Sequence, residues 1–163
     1  MDNLATYSDA QQRWVFVVRA LNRPGTVTAA AAVFSNRGVS LEGILGSGID
    51  TMSVEDGRLL FRFRSTERKQ DLLKRSLERL PSIFQVDAYA YEDPRLRAIA
   101  VAKLTADAKL SHDLEDLSIE TISRSSSSAF LLLSGGTMAV EDAIAYFRQQ
   151  QQLEDVVMSA ITV

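Results

Sequence analysis

Ala20-Leu21-Asn22-Arg23-Pro24-Gly25-Thr26-Val27 is the stretch whose reading decides the fold. Before it, residues 13–21 alternate: Trp14, Phe16, Val18 and Ala20 point one way, Val15, Val17 and Arg19 the other. That is the two-residue period of a β-strand, and its two largely apolar faces predict a central one. After it the period changes. Val27, Ala30, Ala31 and Phe34 are spaced i, i+3, i+4 and i+7, which is one face of a helix. Pro24 suits a first helical turn and Gly25 is free in its dihedrals, so the stretch carries a strand into a helix. Ser35-Asn36-Arg37-Gly38 ends that helix, with Arg37 near its negative end and Gly38 as a left-handed cap.

Further along, residues 41–52 read as a strand with Gly43, Gly46 and Gly48 inside it. Glycine weakens a strand unless another backbone or a ligand comes close. Residues 53–57, Ser-Val-Glu-Asp-Gly, read as a hairpin turn. Residues 58–64 alternate, with Leu59, Phe61 and Phe63 toward a core and Arg58, Arg62 and Arg64 outward. A helix is predicted over 66–80, capped by Thr66, with Leu72, Leu73, Ser76, Leu77 and Leu80 as its inner stripe. Pro81 stops it, and residues 84–91 form a fourth strand. The order β-α-β-β-α-β is the ferredoxin-like split βαβ unit.

Glu92-Asp93-Pro94 breaks the pattern. The expected division is a flexible N-terminus over 1–12, a first domain over 13–92 and a second, diverged domain over 93–163. The second half repeats the order more weakly. Strands are expected at 96–104, 118–124, 129–134 and 153–163, with a turn at 125–128 and a loop at Gly135-Gly136. A short helix with Ala108 and Leu114 as contacts fits within 106–116, and a longer one over 138–150 turns Val140, Ala143, Ile144 and Phe147 inward. The fold class is α+β, two tandem ferredoxin-like domains. Each half, at roughly 80 residues, has a thin core, which favours packing on another surface.

The net charge of -3 lacks the basic footprint of a nucleic-acid binder. There is no cysteine, which excludes disulfides, thiol catalysis and zinc-finger spacing. The first twelve residues have neither the basic start nor the apolar centre of a signal peptide, and no apolar run approaches the roughly 20 residues of a membrane span. A soluble cytoplasmic protein, with neither nucleic acid nor membrane as partner, is expected.

No residue set for bond-making chemistry stands out, so no catalytic residue, metal or cofactor is predicted. His112 is the single histidine, and with Asp113, Glu115 and Asp116 it reads as a solvated face. Gly46-Ser47-Gly48 and Gly135-Gly136 match neither dinucleotide nor P-loop patterns. The β-α-β-β-α-β order also serves RNA recognition, but Phe61 and Phe63 share a face with Leu59 and read as core. The opening turn remains. Gly25 leaves backbone N–H groups at a helix N-terminus, where the dipole favours a carboxylate, and the Asn22 amide both donates and accepts. Together they suit the carboxylate and ammonium of a free amino acid. The plain alternative is a tight Pro-Gly turn without a ligand.

Asn22-Arg23-Pro24-Gly25-Thr26-Val27, followed by Val33-Phe34-Ser35-Asn36-Arg37-Gly38-Val39-Ser40-Leu41-Glu42, resembles the opening of an ACT domain. More closely, it is similar to the regulatory small subunit of acetolactate synthase, which shows Asn-x-x-Gly-Ala-Leu and then Leu-Phe-x-x-Arg-Gly-Tyr-Asn-Ile. The total length, the tandem arrangement and Arg97-Ala98-Ile99-Ala100-Val101-Ala102-Lys103-Leu104 fit as well. The resemblance implies a non-catalytic regulatory subunit. Its ACT domains would pair side by side into a homodimer or larger oligomer and bind valine, leucine or isoleucine as feedback effector. It would act on a thiamine-dependent acetolactate synthase catalytic subunit. By position, Asn22, Gly25, Thr26, Val27, Ser40 and Leu41 would line the effector site. Val39-Ser40 stands where the family has Tyr-Asn, and 106–116 replaces a longer linker and helix. The alternative implied is a stand-alone tandem-ACT amino-acid sensor.

Overall fold

The computed structural model describes residues 9–51, 54–108 and 115–162. The chain divides into two compact units, Met1–Tyr91 and Glu92–Val163. The first unit runs β1 (Gln12–Leu21), α1 (Thr26–Ser35), β2 (Leu41–Thr51), β3 (Val54–Ser65), α2 (Glu67–Leu77) and β4 (Ile83–Ala90). Its sheet has the order β2-β3-β1-β4, antiparallel throughout. The apolar β1 is central, as its two-faced pattern predicts.

One face of this sheet meets both helices. Phe16, Val18 and Ala20 of β1 and Leu59, Phe61 and Phe63 of β3 pack against Ala30 and Phe34 of α1 and Leu73 and Leu77 of α2. The inner seams are narrower than the sequence period suggests. In α1 the buried residues are Thr26, Ala30 and Phe34, while Val27 is 45% exposed. The helix begins only at Thr26, which turns Val27 off the core face. In α2 the seam is Gln70, Leu73 and Leu77, and Leu72 is exposed. Ser76 is only half-buried, and its hydroxyl donates to the Leu72 carbonyl. The helix ends fit their chemistry. Thr66 Oγ1 accepts from the Lys69 N–H at 3.3 Å, and Gly38 takes φ 62 just after α1.

The Asp-Gly pair does not make the hairpin turn expected of it. Asp56 and Gly57 lie inside β3, opposite Ile49 and Gly48, and the connection falls at residues 52–53, outside the described residues. Gly57 serves a close approach instead. A Cβ there would stand 3.3 Å from Asn22 Cβ and 3.4 Å from the Ala20 carbonyl oxygen.

The second unit runs β5 (Arg97–Thr105), β6 (Leu117–Arg124), β7 (Ser128–Gly136), α3 (Thr137–Gln149) and β8 (Leu153–Ile161), with sheet order β6-β7-β5-β8. Ala98, Ala100, Ala102 and Leu104 of β5 and Leu131 and Leu133 of β7 face Val140, Ala143, Ile144 and Phe147 of α3, the stripe read from the sequence. The two sheets share one strand permutation, so the internal repeat is one of topology. The helix proposed within 106–116 is not formed at its ends, since 106–107 and 115–116 are turns. Residues 109–114, with His112, Asp113 and Leu114, lie outside the described residues.

Gly135 and Gly136 are in β7 rather than in a loop, paired with Ala98 and Arg97. Asp116, at φ 62, passes over them, and the Gly136 N–H donates to the Asp116 carbonyl at 3.1 Å. A Cβ on Gly135 would stand 2.1 Å from that carbonyl oxygen, and one on Gly136 would stand 2.6 Å from Asp116 Oδ2. Arg97 holds the Asp116 carboxylate at 2.7 Å. Backbone cannot yield as a side-chain tip can. Gly135→Ala is therefore expected to destabilise the chain by about 2 kcal/mol or more. Urea unfolding measures this, and a midpoint unchanged from wild type would refute the packing.

At the start of the second unit Asp93 Oδ1 accepts from Arg95 N–H (3.0 Å) and Nε (2.9 Å), and Oδ2 accepts from the guanidinium at 2.7 Å. These bonds hold the Asp93 carboxyl down at about 2. A lowered folded-state pKa means that the stabilisation is complete above the ordinary carboxyl range and is lost as pH falls toward 2. Carboxyl NMR should show Asp93 titrating near pH 2, and Arg95→Ala should raise it toward the ordinary range by removing the guanidinium bonds while the backbone N–H bond stays. A normal Asp93 titration in the wild-type chain is the contrary result.

Candidate functional site

The site forms where β1 gives way to α1. Gly25 has φ 88 and ψ -16, and the Thr26 N–H donates to the Arg23 carbonyl at 3.2 Å. This is a β-turn over residues 23–26, with Pro24 at its second position and Gly25 at the third, where positive φ is required. Pro24 therefore belongs to the turn before the helix, not to the helix's first turn. Its fixed φ and missing N–H suit that position equally, which is why the sequence allows both readings. The first helical bond runs from the Ala29 N–H to the Gly25 carbonyl at 2.9 Å, and no side chain caps the helix. Val27 and Thr28 N–H groups have no intrahelical acceptor, as in any first turn.

A cavity of about 250 Å³ opens beside this turn. Gly46, Ser47 and Gly48 of β2 and Gly57 and Leu59 of β3 form its sheet side. Ala20, Leu21, Asn22 and Arg23 of the β1 end and Thr26 and Val27 of α1 form the rest. The glycines set its shape. Gly48 and Gly57 are cross-strand partners, and the Asn22 side chain lies over both. A Cβ on Gly48 would be 2.8 Å from Asn22 Nδ2, and one on Gly46 would be 3.3 Å from Leu59 Cδ2. Glycine backbone replaces side chain along part of this wall, so the Asn22 amide and the first helical residues, Thr26 and Val27, border one space. β2 is an edge strand, and Ile44, on the same face, is 49% exposed.

Of the residues singled out from the sequence, Asn22, Thr26 and Val27 converge on the cavity. Gly25 makes the turn without bordering the space. Ser40 is exposed in the connection between α1 and β2, and Leu41 packs against the core; neither lines the cavity. Sequence reasoning did not assign Arg23, the end of β1 (Ala20 and Leu21), Gly46 to Gly48, Gly57 or Leu59 to the site. The signal lay in the alternation of Gly46, Gly48, Gly57 and Leu59, and it becomes readable only once the β2–β3 register is known.

The two units in series have a tandem ferredoxin-like fold. Among solved structures, the small subunit of acetolactate synthase from Thermotoga maritima has this fold with a TM-score of 0.71, at 17% identity over 93% of this chain and 98% of that one. The regulatory subunit of aspartate kinase from Thermus thermophilus, in its ligand-free form, matches with a TM-score of 0.42, at 13% identity over 88% of this chain and 94% of that one, too loosely to bear on the argument. No protein-family model matches the chain, and no curated protein does. No described helix is long and apolar enough to cross a membrane.

Gly25 sits at positive φ with nothing within 4 Å of a built Cβ. Gly25→Ala thus adds backbone strain without a clash, and should cost about 1–2 kcal/mol. Denaturant unfolding reads the cost. A neutral or stabilising effect would mean that the turn is not held at this φ.

Proposed function

We propose that the chain is a non-catalytic regulatory subunit that senses a free amino acid at the β1–α1 turn. The single observation that carries this reading is the cavity in which the Asn22 amide and the start of α1 meet a glycine-rich wall of β2 and β3. Its chemistry suits both ends of an amino acid. The helix N-terminus favours the carboxylate, the Asn22 carbonyl oxygen accepts from the ammonium, and Val27 and Leu59 offer apolar contact to a side chain. The effector we favour is a branched-chain amino acid, valine, leucine or isoleucine. The fold shared with an acetolactate synthase small subunit supports this choice, together with the Asn-x-x-Gly spacing from Asn22 to Gly25.

The cavity's location supports a further part of the reading. It lies against the edge strand β2, with Gly46, Gly48 and Ile44 exposed beside it. A second copy of the first domain, set against this edge, would complete the site and form a homodimer. The partner we favour is a cytoplasmic acetolactate synthase catalytic subunit. Effector would act through its different affinity for two states of that assembly.

Calorimetric titration of the intact chain with valine, leucine and isoleucine tests the reading. At least one should bind saturably. Asn22→Ala should weaken it by about tenfold or more, because the amide's hydrogen bonds are lost. Gly48→Val should abolish it by pushing Asn22 into the cavity. Heat from none of the three amino acids, or wild-type affinity in Gly48→Val, would sink the assignment. Mixing with a catalytic subunit then separates an acetolactate synthase regulator from a stand-alone sensor.

A further inference from the structure

The second sheet packs one face on α3 and leaves apolar side chains on the other. Ala98, Ala100 and Ala102 of β5 turn to α3, so Ile99, Val101 and Lys103 turn away from it. The register sets Leu132 of β7 and Val157 of β8 on either side of Val101. Ser134 and Ser159 stand likewise beside Ile99. The centre of this face is therefore uncharged and largely apolar. Val157 is 73% exposed, Val101 41% and Ile99 38%. Charge lies around the margin. Arg97 pairs with Asp116 at one end, Lys103 pairs with Glu154 at the other, and Glu120 stands on β6 beyond Leu132. An apolar centre inside a charged rim is the anatomy of a surface that docks another protein.

The charges say what that protein is. Asp155 of β8 stands directly across from Lys103 on the same face. Its carboxylate accepts from the Val156 N–H at 2.8 Å, and no cation pairs with it among the described residues. β5 thus presents Ile99, Val101 and Lys103 in a row, and β8 presents Ser159, Val157 and Asp155 beside it. The two rows complement each other. A two-fold axis along the strands, between β5 and β8, lays β5 of one copy over β8 of another. Packed sheets stand about 10 Å apart, within reach of both side chains. Val101 then meets Val157 of the second copy, and Lys103 meets Asp155 of the second copy, each contact made twice by symmetry. Leu132 flanks this seam, and Glu120 stays outside it.

We propose that the β5–β8 face is a self-association surface, on which a second copy of the chain seats its own β5–β8 face by two-fold symmetry. It is distinct from the β2 edge of the first unit and independent of any effector. The interface joins an apolar centre, which favours burial, to a charge pair that fixes the register.

The test is sedimentation of the intact chain over a range of concentrations. The wild-type chain should self-associate reversibly. Val157→Asp, which sets a charge in the apolar centre, should weaken association at least about tenfold. Val157 is largely exposed within one chain, so the urea midpoint of this variant should stay that of wild type. Charge exchange tests the register independently. Lys103→Glu sets like charges against Asp155 of the second copy, and Asp155→Lys does so against Lys103, so each variant alone should associate weakly. An equimolar mixture of the two pairs opposite charges at both places and should associate more tightly than either. Cross-strand effects inside one chain cannot produce that recovery. A wild-type monomer throughout the micromolar range, wild-type association in Val157→Asp, or a mixture that sediments as the sum of its parts would overturn the proposal. Val157→Asp that self-associates normally but no longer binds a catalytic subunit would overturn it too, and give the face to that partner.

Discussion

The first unit depends on the seating of one ring. Phe34, on the last turn of α1, lies 5.0 Å from Phe63, 5.2 Å from Phe61 and 6.1 Å from Phe16, centroid to centroid. Phe16 and Phe63 meet edge to face at 4.8 Å. Such pairs each contribute about 0.5–1.5 kcal/mol beyond the area they bury. More important here is geometry. A helix pinned to β1 and β3 at its C-terminal end has its N-terminal end placed as well. That end is Thr26, itself buried, and the turn before it.

The second constraint is where side chains are missing. Gly48 and Gly57 face each other across β2 and β3, and the Asn22 side chain rests on them. With any other residue at these positions Asn22 would have to move, and the space between the turn and the sheet would fill. Core packing from Phe34 and the glycine pair thus act on one small volume from two sides. The second unit uses the same device for a different end. Gly135 and Gly136 admit the Asp116 backbone where a side chain would collide with it, and the result is a tight crossing held by Arg97.

Most of the first unit was legible because its elements are strongly periodic. The alternation from Trp14 to Ala20 and from Leu59 to Phe63 sets strands; the first lies within one residue of its expected bounds, and the other begins four residues earlier than expected, at Val54. Misreadings came where one residue type has two uses. Asp56-Gly57 carries a turn signal, but Gly57 serves a backbone approach within a strand. Pro24 suits a helix start and a β-turn alike, and a hydrogen bond from Thr26 to Arg23 decides for the turn. Leu72 fits a helical stripe by spacing, yet a short helix on a four-stranded sheet buries only the seam of Gln70, Leu73 and Leu77.

The sequence by itself determined the order of elements in the first unit, the repetition of its four-stranded sheet in the second, and the turn at Asn22 to Val27 as the place where strand becomes helix. Those are local matters, set by side-chain period and by the dihedral freedom of proline and glycine. Only the tertiary structure decided what stands across from that turn. Gly46, Gly48, Gly57 and Leu59 reach it through the register of β2 on β3, whereas Ser40 and Leu41, nearer in sequence, lie elsewhere. Register is a property of paired strands, and a shift of one residue would turn every one of those positions to the opposite face.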